Sequence, residues 1–181
     1  MYKRQIVTRT GYTGEDGCEI IVANEHAVAL WTTLIEAGAT AAGLGCRDTL
    51  RLESAMPLYG HEMDEGTDPY TAGLSFGVKL KAADFIGKGA VTAAKAKTDR
   101  LKRVGLELEG RRIAREETPI CLGEETIGKV TSGTFSPTLQ KSISMGYVPK
   151  AQAEPGTQLE VDLRGKRTPA TVVKLPFYKR A

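Results

Sequence analysis

The chain has little of what would point to a membrane, a polyanion or a metal. No apolar run in its 181 residues approaches the ~20 needed to cross a bilayer as a helix, and Met1 to Arg9 lack the apolar core of a signal peptide. Charge of one sign is equally scarce. Twenty-five basic side chains face 22 acidic ones, a formal +3, and the two signs are interspersed, so nucleic acid is not an expected partner. Cys18, Cys46 and Cys121 are odd in number and show no CxxC spacing, which argues against a disulfide framework and a zinc site and fits a soluble protein of the reducing cytoplasm. The two histidines, His26 and His61, stand far apart without partners at metal spacing, so no metal is expected and both read as surface residues. GxSxG, the P-loop and GxGxxG are missing too, which removes the commonest hydrolase and nucleotide readings.

What is present is a glycine-punctuated stretch, RTGYTGEDGCEI, Arg9 to Ile20, with three glycines and three carboxylates around one aromatic. Such a loop lets backbone approach a ligand, and the CEIIV that follows reads as a strand. Alternation sets Cys18, Ile20 and Val22 on one face and Glu19 with Ile21 on the other. A carboxylate among apolar neighbours needs donors, and a planar ligand with two parallel N–H groups would satisfy both oxygens; a solvated edge-strand acid is the alternative. Glu15 and Asp16, in TGEDG, are the residue types that shape turns.

NEHAVALWTTLIEAG, Asn24 to Gly38, has the apolar spacing of an amphipathic helix, through Val28, Trp31, Leu34 and Ile35, with Asn24 as N-cap and Gly38 as C-cap. CRDTLRLESAMPLYG follows as a helix with Leu50 and Leu52 inside, running into a loop at Pro57 and Gly60. Arg47 and Arg51 share one of its faces near Asp48 and Glu53. An internal salt-bridge network and a clamp for a carboxylate or polar ring both suit that placement. Ala-rich sequence around Gly89 to Lys97 predicts a further helix. From Leu101 the character changes to short β-rich runs, RVGLELEG, TPICLG, EETIGKVTSG, SISMGYVP, GTQLEVDLRG and RTPATVVKLPF, as in a small antiparallel barrel or sandwich. The fold class is α+β, with two units meeting near residue 98.

RTGYTGEDGCEI, GLGCRDTLRLESAMPLYGHEMDE, DFIGKGAV, IGKVTSGTFSPTLQKSISMGYVP and a terminal PFYKR, in this order over nearly the whole chain, resemble the C-terminal half of the glycine cleavage system T-protein family, the folate-dependent aminomethyltransferases. The resemblance implies a cloverleaf of domains around a folate channel, with 1–97 the C-terminal part of the folate-binding domains and 98–181 the β-barrel. It also implies tetrahydrofolate as cofactor, held by Glu19 on the pterin, Tyr12 and Arg47 lining the site, and Arg180 near the C-terminus. The partner implied is the lipoyl carrier H-protein, which donates the aminomethyl carbon as ammonia is released. The family's aspartate that steers attack by folate N5 belongs to its earlier half, so no catalytic residue is expected here and the chain reads as a fragment, inactive alone. A non-catalytic folate-binding module and a related folate-dependent demethylase are the alternatives. A first domain cut short would leave Ile20, Val22, Trp31 and Leu34 uncovered and favour self-association through residues 1–45.

Overall fold

A computed structural model describes residues 5–180. Strands β1 (Ile6–Thr8) and β2 (Glu19–Ile21) pair antiparallel as a two-stranded ribbon, with Thr8 opposite Glu19. Helices α1 (Asn24–Glu36) and α2 (Leu44–Glu53) follow, then a long connection and α3 (Lys88–Ala96). Six strands complete the chain: β3 (Leu101–Leu108), β4 (Pro119–Leu122), β5 (Glu125–Ser136), β6 (Lys141–Pro149), β7 (Gln158–Asp162) and β8 (Arg167–Val173). They close into an antiparallel barrel in the order β3-β6-β5-β4-β7-β8. Helices and the small ribbon beside a closed barrel make the fold α+β, and all six β-rich runs of the sequence became barrel strands.

Alternation builds the barrel interior. On β8 the buried positions are Thr168, Ala170 and Val172, and Ala170 and Val172 join Val104, Leu106, Ile120 and Val161 in the core. Strand β6 is different, because it is buried from Ser142 to Val148 on both faces. Val148 points into the barrel, while Ile143 and Met145 pack outside it with Leu52 and Ala55 of the α2 end and with Leu175 and Phe177 of the C-terminal segment. This second cluster fixes α2 on the barrel wall.

Toward the N-terminus the sequence expectations need correction. Asn24 is the first residue of α1 and not its cap; Ala23 is the extended residue before the helix, and its carbonyl accepts the His26 N–H at 2.9 Å. At the other end Ala37 is the C-cap, and Gly38 follows it with φ +99 and donates to the Ile35 carbonyl at 3.0 Å. None of α1's residues is buried, and Val28 is 76% and Trp31 57% exposed. In β2 Ile20 is half-buried, whereas Glu19 and Ile21 both face solvent. Glu19 therefore does not sit among apolar neighbours in this ribbon.

Candidate functional site

The site grows from an ion pair under α2. Arg51, buried, donates through Nη1 to Glu62 at 2.9 Å and to the Met56 carbonyl at 3.2 Å, through Nε to Asp48 at 2.8 Å, and through Nη2 to the Ser132 hydroxyl at 2.7 Å. Glu62 is fully buried, and beyond Arg51 it accepts from the Leu58 N–H at 2.9 Å and the Thr131 hydroxyl at 2.6 Å. The Tyr147 hydroxyl adds a bond to the Glu62 carbonyl. Each charge is thus paired and hydrogen-bonded, the condition under which burial of both is tolerated.

Consecutive strand residues normally face opposite ways, yet Thr131 and Ser132 both serve this pair. The reason is a bulge in β5: Val130 pairs with Gly146 and Ser132 with Met145, leaving Thr131 as an extra residue without a partner. Val130, Thr131 and Ser132 are all buried in consequence.

In front of the network lies a cavity of about 490 Å³ lined by Tyr12, Leu44, Arg47, Asp48, Leu58 and His61, with Arg51, Arg115, Glu116 and the 131–133 segment behind. The Arg47 guanidinium lies over the Tyr12 ring, 4.9 Å from its centroid. The Tyr12 hydroxyl donates to the Pro57 carbonyl, and burial pushes its pKa up, with Arg51 and Arg47 pulling the other way. The backbone beside Tyr12 is pinned too: Ser54 Oγ donates to the Thr13 carbonyl at 3.1 Å, and a side chain at Gly14 (φ +79) would collide with Ser54. His61 and Glu116 meet at 3.1 Å on the cavity wall.

Of the four residues singled out for folate, the structure brings two together, Tyr12 and Arg47. Glu19 is exposed, accepts a hydrogen bond from the Thr10 hydroxyl and does not line the cavity. Arg180 likewise stays outside it and pairs with Asp16 at 2.7 Å. Asp16 and Glu15 do more than shape a turn, since Glu15 also holds the Tyr178 hydroxyl and raises its pKa, so both acids fasten the C-terminal segment to the loop. Glu53 does not join the arginines; it accepts from Ser136 at 2.5 Å and Thr138 at 3.0 Å. His61 is exposed, as expected of a surface residue, and also lines the cavity wall. The carboxylates lining the cavity are Asp48 and Glu116, and Asp48 carries one oxygen with no described partner beside the aromatic wall.

The donor set fits a planar heterocycle with a polar edge. An aromatic ring and two leucines supply flat apolar contact, and Asp48, His61 and the Arg47 fork supply directed polar contact, in a volume typical of small-ligand sites. Among the described residues no three His, Cys, Asp or Glu side chains gather as a metal site, and no helix is long and apolar enough to cross a membrane.

Two family models match the chain, the GCVT N-terminal domain over residues 2–82 and the glycine cleavage T-protein C-terminal barrel domain over residues 102–179. The aminomethyltransferase of Synechococcus elongatus is 53% identical over 174 residues, which are 96% of this chain and 47% of that protein. Its counterpart in Symbiobacterium thermophilum is 48% identical over 179 residues, 96% of this chain and 48% of the relative. The crystal structure of glycine cleavage system aminomethyltransferase T from Bartonella henselae superposes with a TM-score of 0.92 at 36% identity, over 98% of this chain and 50% of that one. The chain spans about half the length of the relatives it matches.

Proposed function

From a chain that belongs to the glycine cleavage T-protein family, we propose a folate-holding half of an aminomethyltransferase, in which the aminomethyl carbon passes from the lipoyl arm of the H-protein to tetrahydrofolate and ammonia leaves. The observation that carries this reading is the Tyr12–Arg47 stack on the wall of the 490 Å³ cavity. Such chemistry asks the protein chiefly to hold two reactants in place, because tetrahydrofolate itself supplies the attacking amine. Tyr12 gives the ring a flat wall, Arg47 a cation over that wall, and Arg51 and Glu62 keep the helix carrying Arg47 against the barrel. Glu19 and Arg180 enter the reading through the resemblance, as contacts to the pterin and to the remainder of the folate. Binding without turnover is proposed for the chain by itself, because its matched motifs hold no counterpart of the aspartate that guides N5.

Calorimetric titration of the 181-residue chain with tetrahydrofolate tests the reading. Binding is expected, weakened about tenfold or more by Arg47→Ala, with thermal melts unchanged. Glu19→Gln should weaken it similarly, since a hydrogen bond to a charged group contributes about 1.5–3 kcal/mol, while Glu15→Gln should leave it intact. No binding by the unaltered chain would overturn the folate assignment. Equal affinity of Glu19→Gln and the unaltered chain would remove Glu19 from the site alone. Turnover of an aminomethylated lipoyl carrier by the chain would overturn the proposed inactivity.

A further inference from the structure

The +3 of the whole chain is unevenly spread. Residues 79–102 hold seven basic and two acidic side chains, a net +5, which leaves the rest of the chain at −2. Around these residues runs a groove of three adjoining cavities, of about 310, 480 and 320 Å³. The first two share Val78, Lys79 and Ala82, and the last two share Tyr70 and Lys95. No carboxylate lines any of them. Asp68 is engaged by the Tyr70 and Thr71 N–H groups and the Thr71 hydroxyl, Asp84 pairs with Lys88 at 3.9 Å, and Asp99 stands outside the lining. The groove has no lining residue in common with the Tyr12–Arg47 cavity.

The groove's lysines are free. Lys79 and Lys81 belong to one lysine-rich cavity and Lys97, Lys102 and Lys150 to the other, with Lys95 common to both, and none of these ammonium groups makes a hydrogen bond or ion pair with a described residue. The last carbonyls of α3 do not hold them, because Arg100 has taken those: its Nη2 donates to the Lys95 and Lys97 carbonyls, each at 2.6 Å, while the guanidinium lies over the Tyr70 ring, 5.4 Å from its centroid. Like charges set around one concavity repel one another and draw an anion. Between the lysines the lining is apolar, with Val78 and Leu80, Leu101 at 44% exposure and Phe85 at 40%.

We propose that this groove docks an acidic amphipathic segment of a partner polypeptide, its carboxylates on Lys79, Lys81, Lys95 and Lys97 and its apolar side chains on Leu80, Leu101 and Phe85. A phosphate strand would meet the lysines but leave the apolar lining in water, and Tyr70, the aromatic ring of the two lysine-rich cavities, already carries Arg100 on one face. A polypeptide that alternates acidic and apolar residues satisfies both parts of the groove at once, apolar contact within and charge at the rim.

Fluorescence anisotropy of the 181-residue chain with a labelled peptide of repeating Glu-Glu-Leu units, a matched peptide of Glu-Glu-Ser units and oligothymidylate, at low and raised salt, tests the docking. The Glu-Glu-Leu peptide is expected to bind about tenfold tighter or more than either of the others, and to weaken as salt rises. The variant Lys79→Gln/Lys81→Gln/Lys95→Gln/Lys97→Gln should weaken that peptide about tenfold or more while melting with the unaltered chain, since these ammonium groups hold nothing within it. Lys174→Gln, at an exposed lysine outside the groove, should leave binding unchanged. Equal affinity for the two peptides overturns the amphipathic partner, and tighter binding of oligothymidylate overturns it in favour of nucleic acid. Peptide binding that survives the quadruple lysine variant, or no peptide binding at all, overturns the docking groove itself.

Discussion

A guanidinium can leave water only if its N–H groups find acceptors, and Arg51 finds them in four separate places: Asp48, Met56, Glu62 and Ser132. Removing it leaves the Glu62 carboxylate in the interior with only neutral donors, Leu58 and Thr131. Arg51→Met should therefore cost about 3–5 kcal/mol in urea unfolding, the penalty of an uncompensated buried charge. Adding Glu62→Gln should recover part of that, with the double variant departing from additivity by about 0.5–3 kcal/mol; simple additivity would mean that the two groups are not coupled. Tyr147 offers a second reading of the same network through pH. Burial pushes its pKa up to about 12 from the ordinary 10.0. The neutral, donating form is thus favoured in the folded state. Its stabilising contribution is complete below pH 10 and falls as pH rises toward 12. Tyr147→Phe should be less stable at neutral pH, having lost the bond to the Glu62 carbonyl, but should decline less steeply between those pH values. Parallel decline of the two proteins in urea titrations would show that Tyr147 does not titrate with unfolding.

Elements were easier to read from the sequence than the contacts between them. Short β-rich runs separated by turns at regular intervals marked every barrel strand, and the helices α1, α2 and α3 fell within a few residues of their expected spans. The polar core beneath α2 was not legible. The sequence suggested a salt-bridge network for Arg51, and its pair with Asp48 formed, but nothing in the sequence told that Ser132 and Ser136, 81 and 83 residues further on, are brought against Arg51 and Glu53. Nor does EETIGKVTSG announce that a bulge will turn Thr131 and Ser132 to the same side. A possible cue lay in its glycines. At Gly133, which lines the cavity just after the bulge, an added Cβ would stand 1.9 Å from the Ala114 carbonyl oxygen, so this crossing is possible only without a side chain. Gly133→Ala should then force backbone apart and destabilise the barrel by roughly 1–3 kcal/mol or more, the usual cost of overpacking. Gly17→Ala, which meets nothing within 4 Å, is the matched control in the loop near Tyr12. Equal melting temperatures for the two variants would contradict the assigned close approach.

The molecule as a whole is uneven: a barrel with two packed clusters on one side, and on the other a ribbon and helix whose apolar side chains meet water. Ile6, Val7 and Ile21 of the ribbon are 60%, 56% and 61% exposed, and on α1 Val28, Trp31, Leu34 and Ile35 form a helical stripe from 76% down to 39% exposed. The sequence pattern identified that stripe as the apolar side of an amphipathic helix and expected Trp31 and Leu34 to lie uncovered, and the helix formed with none of its residues buried. Residues 1–4 of the segment expected to associate lie outside the described residues. A stripe and ribbon edge of this kind gain free energy at about 25 cal/mol for each Å² of apolar surface they cover. The expectation is self-association through residues 6–36, seen as a weight-average mass that climbs above 19.5 kDa with concentration in sedimentation or light scattering. Val28→Lys/Trp31→Lys places charge on the most exposed part of the stripe and should hold the mass near the monomer value. Because α1 contributes no buried residue, the same variant should leave the barrel's melting transition within about 0.5 kcal/mol of the unaltered chain, as surface changes do. A mass that stays monomeric over the whole accessible range without the substitutions would contradict the prediction. A variant that still associates would shift the contact to the β1–β2 edge.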